Sequence, residues 1–232
     1  MPSLGAVIVA AGSGVRMGGI DKVFASLSGR PIIAHTLAVF QGCDTVRGIV
    51  LVLSASNLQR GRDLVREYGF DKVGDVCPGG ERRQDSVRLG LEQLPACDYV
   101  AVHDGPRALV TAELIERGLE VAQETGAAVP ALPLSDTVKE AGPDGLVVRT
   151  LDRSRLWAVQ TPQIFRCDLL LRAHREVTAD ATDDASMLEA LGVPVKLFPG
   201  LRTNIKITAP EDMEIAEALL SALGGAGYTT AA

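Results

Sequence analysis

Two cations flank the first glycine-rich loop of the chain. The loop 10–14 follows an apolar run, and Arg16 and Lys22 stand six residues apart beside it. Small residues let backbone N–H groups approach a polyanion closely, and a helix start after such a loop adds a positive dipole end. Nucleotidyl transfer needs positive charge where negative charge collects on phosphorus and on the leaving pyrophosphate. The pattern therefore favours a phosphate site; the alternative is a solvated basic face.

The same loop argues against two common nucleotide motifs. Its spacing is Gly-x-Gly-x-x-x-Gly, which is not the dinucleotide fingerprint, and no acid follows the second strand at Leu53-Ser54 to hold a ribose. The Gly-Lys-Ser/Thr element of a P-loop is also missing. An NAD-dependent oxidoreductase is therefore disfavoured.

Two later loops carry further candidate ligands. Gly79-Gly80 precedes a predicted helix that contains Ser86, which suits close approach to a base or ribose; helix capping is the plainer alternative. Asp104 ends a predicted buried strand, where a carboxylate is well placed to hold Mg²⁺. Arg107 could meet a second anion, whereas His103 is interpreted as a hydrogen-bonded core residue.

The last third of the chain offers one more candidate cation. Residues 204–208 alternate in polarity and are interpreted as a strand with Asn204, Lys206 and Thr208 on one side. Lys206 lies between two isoleucines, so we treat it as a functional candidate; an exposed edge strand is the alternative. The final helix is expected to start near Thr208 with a Thr208-x-x-Glu211 capping box.

Alternating apolar runs and helical patterns must position these residues. Strands are predicted near 6–10, 48–53, 72–76, 99–103, 127–132 and 193–198, and helices near 31–40, 57–68, 82–93 and 111–125. This order predicts an α/β fold: a mostly parallel twisted sheet with helices on both faces. Ligands in such sheets bind at the carboxyl ends of the strands, where the candidate loops lie.

The alternation breaks after Leu132. Two short β-prone runs, 137–139 and 146–149, flank the turn signal Ala141–Gly145, which predicts an inserted β-hairpin arm at about 134–157. An isolated hairpin is marginal in water, so we expect the arm to pack on another surface, such as a second subunit. The whole chain, 1–232, is expected to be one domain with a flexible tail from about 224.

Composition excludes several classes of protein. The 232 residues carry a net charge of −6, which argues against duplex binding because phosphate contacts need clustered cations. No apolar run approaches the ~20 residues of a membrane helix. The four cysteines are far apart, without a Cys-x-x-Cys pair, which argues against zinc or a disulfide framework and fits a reducing compartment. We expect a cytoplasmic protein that binds neither nucleic acid nor membrane.

In combination, the motifs resemble the 2-C-methyl-D-erythritol 4-phosphate cytidylyltransferases of the non-mevalonate isoprenoid pathway. The resemblance spans about residues 4–222, in order and with compatible spacing. The segments that carry it are Ala10–Met17, Lys22, Gly79–Val87, Val102–Asp104, Asp136–Lys139, Asp152–Arg153, Thr161–Gln163, Thr182–Ser186 and Asn204–Thr208.

The resemblance implies a Rossmann-like nucleotidyltransferase that transfers CMP from CTP to 2-C-methyl-D-erythritol 4-phosphate and releases pyrophosphate. It also implies Mg²⁺ or another divalent cation, held near Asp104, and a homodimer formed through the arm. Arg16 and Lys22 would stabilise the α-phosphorus and the pyrophosphate, and Arg153 and Lys206 would orient the attacking phosphate. The implied CTP ligands are Ala10, Ala11, Gly12, Ser13, Gly14, Gly79, Gly80, Glu81, Ser86, Asp104 and Gly105. The implied acceptor ligands are Arg107, Thr137, Arg153, Thr161 and Lys206, of which Thr137 and Arg153 would serve the neighbouring subunit.

The sequence departs from the family pattern near the site. Asp21 replaces the usual proline before Lys22, and Gly105-Pro106 replaces the usual Ala-Ala, so that a backbone N–H is lost at Pro106. Glu81 is a milder change. Two alternatives stay open: a sister cytidylyltransferase that uses another polyol phosphate, such as ribitol 5-phosphate, and a nucleotide sensor that binds CTP without releasing pyrophosphate.

Overall fold

The computed structural model describes residues 2–12 and 22–224. Arg16, Ser13, Gly14, Asp21 and the tail from 225 lie outside the described residues. The strands are β1 Leu4–Ala10, β2 Ser26–Leu27, β3 Arg30–Pro31, β4 Val46–Leu53, β5 Val73–Pro78, β6 Tyr99–Asp104, β7 Ala127–Pro133, β8 Lys139–Ala141, β9 Val147–Thr150, β10 Trp157–Val159, β11 Gln163–Arg166 and β12 Lys196–Pro199. The α-helices are α1 Ile32–Gly42, α2 Leu58–Glu67, α3 Arg83–Gln93, α4 Ala112–Thr125, α5 Cys167–Glu176, α6 Asp184–Ala190 and α7 Pro210–Gly224.

Eight of the described strands form one sheet, and most of its pairings are parallel. β1 lies between β4 and β6, β5 pairs with β4, and β12 pairs with β7, all in parallel. β11 runs antiparallel between β6 and β7, and β10 pairs antiparallel with β7. The predicted mostly parallel sheet is therefore confirmed, with an antiparallel insertion that the sequence analysis did not predict.

Helices cover both faces of this sheet, as predicted. The side chains of β1 alternate between two cores: Ala6 and Ile8 join one, and Val7 joins the other. The first core receives residues of α1, α2 and α4, and the second receives residues of α3, α5 and α6. Since both faces of the sheet are buried, a central strand tends to be apolar on both sides, which is why β1 and residues 48–53 of β4 appear as continuous apolar runs.

The predicted hairpin is present. β8 and β9 pair antiparallel in a small separate sheet, with Lys139 opposite Thr150. Leu146, Val147 and Val148 on this hairpin are 59 to 69% exposed. Large apolar side chains therefore lie outside the cores of the chain at this point.

Two local predictions near the end of the chain are wrong. Residues 204–208 do not form a strand; the Ile207 N–H donates to the Pro106 carbonyl (3.0 Å). The helix α7 is capped by Asp212, not Glu211: its Oδ2 accepts from the Thr208 N–H (2.6 Å) and hydroxyl (2.8 Å). The polar alternation of residues 204–208 and the Thr208-x-x-Glu211 spacing are present in the sequence. In the structure, however, the Pro106 carbonyl accepts the Ile207 N–H, and Asp212 rather than Glu211 accepts the hydrogen bonds from Thr208.

Candidate active site

A cleft of about 370 Å³ opens where β1, β5 and β6 end. Parallel strands place their carboxyl ends, and the loops that follow them, at one edge of the sheet. The cleft is lined by fourteen described residues: Val9, Ala10, Ala11, Gly12, Lys22, Val23, Gly80, Glu81, Arg82, Arg83, Ser86, Asp104, Pro106 and Lys206. The structure thus brings together the loops that the sequence analysis selected.

Three positively charged side chains lie close to the Asp104 carboxylate in this cleft. Lys206 Nζ lies 2.8 Å from its Oδ2, and Arg83 Nε lies 3.3 Å from its Oδ1. Arg107 Nε is more distant, 3.8 Å from Oδ2. One carboxylate therefore faces three cations, and the local charge is positive, as an anionic ligand requires.

These cations keep Asp104 ionised. Burial by itself would raise the pKa of this carboxyl, but the charges of Arg83 and Lys206 outweigh burial and hold the pKa well below its usual range. The Asp104 carboxylate therefore remains negative throughout the neutral pH range.

A chain of buried hydrogen bonds holds the backbone of Asp104 in place. Its backbone N–H donates to Thr161 Oγ1 (3.0 Å), and the same hydroxyl lies 3.2 Å from His103 Nδ1. Burial lowers the pKa of His103 to about 3, so this imidazole is neutral. His103 is fully buried, as predicted for a core residue, and Thr161 is also buried, beneath Asp104 rather than among the cleft-lining residues.

Gly79 allows two site loops to touch. A Cβ at this position would lie 2.3 Å from Ala11 Cβ and 2.7 Å from Ser86 Oγ, distances that real side chains do not adopt. Ser86 Oγ also accepts a hydrogen bond from the Gly80 N–H (3.1 Å). Because Gly79 has no side chain, the loop after β5 can pack directly on the loop after β1. The hydrogen bond from the Gly80 N–H to Ser86 Oγ stabilises the loop after β5.

Lys22 enters the cleft from a short 3-10 helix, Lys22–Phe24. Val23 and Phe24 are buried, and the guanidinium of Arg60 stacks over the Phe24 ring at 4.3 Å. The charge of Lys22 also contributes to the lowered pKa of Asp212, whose first cause is the Thr208 N–H. This second observation places Lys22 near the start of α7.

Pro106 and Asn204 hold Lys206 in place. The Pro106 carbonyl accepts from the Ile207 N–H, and Asn204 Nδ2 donates to the Thr161 carbonyl (2.8 Å). Arg107 Nη1 donates to the Asn204 carbonyl (2.8 Å). Arg107, predicted as an acceptor ligand, is therefore engaged inside the chain, and Pro106, although it lacks an N–H, contributes its carbonyl.

The arm residues lie apart from these groups. Arg153 is exposed and donates to the Ser135 carbonyl (2.6 Å), and Thr137 is also exposed. Neither belongs to the lining of the cleft within this chain. Gly105, by contrast, is buried behind the cleft, where its N–H donates to the Val9 carbonyl (2.8 Å).

Sequence reasoning missed two charged residues of the site. Arg83 lies in the segment Gly79–Val87 and Asp184 in the segment Thr182–Ser186, but the sequence analysis assigns no role to either residue. They form an ion pair at 2.6 Å although they are separated by 101 positions in the sequence. The sequence contains no local signal for such a pair.

Comparisons with known proteins identify the family of the chain. The family described as 2-C-methyl-D-erythritol 4-phosphate cytidylyltransferase matches residues 4–222. A relative of that name from Dehalococcoides mccartyi (strain ATCC BAA-2266 / KCTC 15142 / 195) is 54% identical over 94% of this chain and 96% of its own length. Another, from Pelotomaculum thermopropionicum, is 45% identical over 97% of each chain.

Solved structures give the same result. 4-Diphosphocytidyl-2C-methyl-D-erythritol synthase from Anaerococcus prevotii superposes with a TM-score of 0.83 at 29% identity, over 95% of this chain and 96% of that one. The 2-C-methyl-D-erythritol 4-phosphate cytidylyltransferase from Thermus thermophilus gives 0.78 at 34% identity, over 95% and 100%. The resemblance found in the sequence is confirmed: the chain belongs to the 2-C-methyl-D-erythritol 4-phosphate cytidylyltransferase family.

Proposed function

We propose that this cleft transfers the cytidylyl group of CTP to 2-C-methyl-D-erythritol 4-phosphate. In this reaction a phosphate oxygen of the acceptor attacks the α-phosphorus in line, a new P–O bond forms, and the bond to pyrophosphate breaks. The observation that carries the proposal is that Lys22, Lys206 and Arg83 line one cleft. Lys206 and Arg83 also pair there with the ionised Asp104. Family membership supplies the identity of the two substrates.

The nucleotide enters on the side of the glycine loops. Ala10, Ala11 and Gly12 line the cleft and offer little steric hindrance to a triphosphate. Gly80, Glu81 and Ser86, which follow β5, also line the cleft and are assigned to cytosine and its ribose. Lys22 stabilises the charge that develops on the phosphates, and Arg16, outside the described residues, is assigned the same role.

Asp104 is the residue assigned to Mg²⁺. Among the described residues no group of three or more His, Cys, Asp or Glu side chains is arranged to hold a metal. Mg²⁺ needs only one or two carboxylates when substrate phosphates complete its shell, and Asp104 is an ionised carboxylate on the cleft. The ion would neutralise charge on the phosphates. Lys206, beside Asp104 on the same cleft, is assigned to the phosphate of the acceptor.

The acceptor site is completed by a second subunit in this proposal. Arg153 and Thr137 are exposed on or beside an arm that also exposes Leu146, Val147 and Val148. Apolar side chains of this size favour burial against a partner. We assign the arm to a homodimer in which Arg153 and Thr137 reach the neighbour's cleft, and Arg153 helps Lys206 to orient the attacking phosphate.

The cytoplasm is the proposed location. All four cysteines are free thiols, which is typical of a reducing compartment. In the part of the chain that the structure describes, no helix is both long and apolar enough to cross a bilayer.

A pyrophosphate-release assay tests the proposed reaction. Each of the four common nucleoside triphosphates is supplied in turn with 2-C-methyl-D-erythritol 4-phosphate or with ribitol 5-phosphate. We expect release only with CTP and the methylerythritol phosphate. Equal or faster release with ribitol 5-phosphate would assign the chain to the sister activity, and CTP binding without release would make it a nucleotide sensor.

A further inference from the structure

Arg83 divides its guanidinium between two carboxylates. Its Nε donates to Asp104 Oδ1 (3.3 Å), and its Nη1 donates to Asp184 Oδ2 (2.6 Å). Asp104 faces the cleft, whereas Asp184 is completely buried. One planar group therefore links a cleft carboxylate to a carboxylate in the interior.

Asp184 is not required for helix capping. It is the first residue of α6, but the cap is Asp183, whose Oδ1 accepts from the Ser186 N–H (3.0 Å). Burial would raise the pKa of Asp184, yet the charge of Arg83, together with the nearby His174, outweighs burial and lowers it, so the carboxylate is ionised. A buried charge costs several kcal/mol unless it is well paired, so its partner must be specific.

Arg83 is the only hydrogen-bonding partner of the Asp184 carboxylate among the described residues. His174 Nε2 lies 3.7 Å from Asp184 Oδ1, which is too long for a hydrogen bond. Both of these atoms are buried and lack a hydrogen-bond partner in the described part of the chain. Among the described residues, Arg83 is therefore the hydrogen-bonded link between the Asp184 carboxylate and the cleft.

We propose that Asp184 is a positioning residue for cytidylyl transfer. Its buried carboxylate anchors the Nη1 side of Arg83, so that the Nε side holds Asp104 Oδ1 while Lys206 holds Oδ2. Without the charge at Asp184, Arg83 turns towards Asp104 and competes with Lys206 for it. The inference rests on the proposed function, because the transfer is the step that Asp104 and Lys206 serve.

The test is kinetic and uses Asp184→Asn, which keeps the shape of the side chain and removes its charge. We expect kcat for pyrophosphate release to fall at least about tenfold, because small misplacements of reacting groups have large effects on rate. KM for CTP should stay within about threefold, and calorimetry should still find one CTP bound per chain, as for an interaction expressed in the transition state. The matched control is Asp168→Asn, an exposed carboxylate in the first turn of α5 that also pairs with an arginine, Arg166.

A second variant covers the case in which Asp184→Asn does not fold. Lysine in Arg83→Lys keeps the charge but lacks the fork that holds two carboxylates, so the same loss of kcat is expected. If both variants fold, the double variant should lose no more than either single one, because they break one linkage.

Three results would overturn the inference. These are an Asp184→Asn enzyme with kcat within about twofold of wild type, an Arg83→Lys enzyme with wild-type turnover, and a loss of activity explained by less than one CTP site per chain. A wild-type chain that releases no pyrophosphate would instead refute the proposed function itself, and the positioning role with it.

Discussion

At the scale of single residues, the cleft depends on a balance of charge around Asp104. Lys206 and Arg83 contact its two oxygens, and Arg107 Nε lies 3.8 Å from Oδ2. A triphosphate must enter this site against one negative charge and towards several positive ones. The carboxylate thus opposes the nucleotide, and the proposed Mg²⁺ would offset that repulsion.

That balance predicts an unusual effect of Asp104→Asn. Without Mg²⁺, the variant should bind CTP more tightly than wild type, roughly fivefold, since one nearby like charge costs on the order of 1 kcal/mol. Its rate of pyrophosphate release with Mg²⁺ should fall. Calorimetry in the presence of a chelator measures the first effect, with Asp168→Asn as the control; weaker CTP binding by Asp104→Asn would contradict the proposed charge balance.

His103 predicts a dependence of stability on pH. Burial lowers its pKa to about 3 from an ordinary 6.5, so below pH 6.5 the unfolded chain takes up a proton that the folded chain does not. This term therefore lowers the free energy of unfolding as the pH falls from 6.5 towards 3, by up to about 1.4 kcal/mol per pH unit. Urea unfolding at pH 7 and pH 5 should show a smaller loss in His103→Gln than in wild type. Equal losses in the two proteins would contradict a neutral buried imidazole.

At the scale of secondary structure, the sequence predicts those elements whose burial is uniform. β1 and residues 48–53 of β4 are apolar because the sheet is covered on both faces, and both strands are found close to where they were predicted. β11 was missed because it is four residues long and owes its place to antiparallel pairing with distant β6 and β7. Residues 204–208 alternate in polarity, and this alternation predicts a strand. They do not form one, and the Ile207 N–H donates instead to the Pro106 carbonyl.

The candidate site, like the strands, can be predicted only where its residues carry a local signal in the sequence. The loops that end β1, β5 and β6 were predicted from their glycines and charges, and the structure brings Lys22, Asp104 and Lys206 to one cleft. The ion pair of Arg83 with Asp184 could not be predicted, because it depends on how α3 and α6 approach each other. Local sequence shows which residues can do chemistry, and tertiary packing decides which of them meet.

The packing of α3 on the sheet predicts a clear effect of Gly90→Ala. A Cβ there would lie 2.5 Å from Val7 Cγ1 and 2.8 Å from Val52 Cγ2. The methyl group must push α3 away from β1 and β4, so the free energy of unfolding should fall by about 1–3 kcal/mol. Urea denaturation measures the change.

Gly42→Ala is the matched control for that substitution. Gly42 is also helical, but a Cβ there meets nothing within 4 Å among the described atoms. Alanine is the better helix former, so this variant should be at least as stable as wild type. A Gly90→Ala protein that is no less stable than Gly42→Ala would show that the helix can move at little cost.

At the scale of the whole molecule, the hairpin arm has features that a single chain does not explain. Its apolar side chains are exposed, and Arg153 lies outside the cleft of its own chain. Both facts are accounted for if two chains exchange arms. A symmetric dimer then contains two composite clefts, each with Lys22 from one chain and Arg153 from the other.

Mixing two inactive variants tests this exchange. Lys22→Ala and Arg153→Ala chains, unfolded together and refolded at equal concentrations, should form mixed dimers in which one cleft carries both changes and the other carries neither. The mixture should regain about a quarter of wild-type turnover, since half of the dimers are mixed and each has one intact cleft. If Arg153 served its own chain, every cleft would keep one defect and no activity would return.

The most direct test of the central claim is the turnover of Lys22→Ala with CTP and 2-C-methyl-D-erythritol 4-phosphate, compared with Lys196→Ala on the exposed strand β12. If Lys22 stabilises the charge that builds up during transfer, kcat should fall by about 10²–10³, or about 3–4 kcal/mol, with an unchanged melting temperature. The Lys196→Ala control should match wild type. A Lys22→Ala enzyme that also turns over at the wild-type rate would contradict the account.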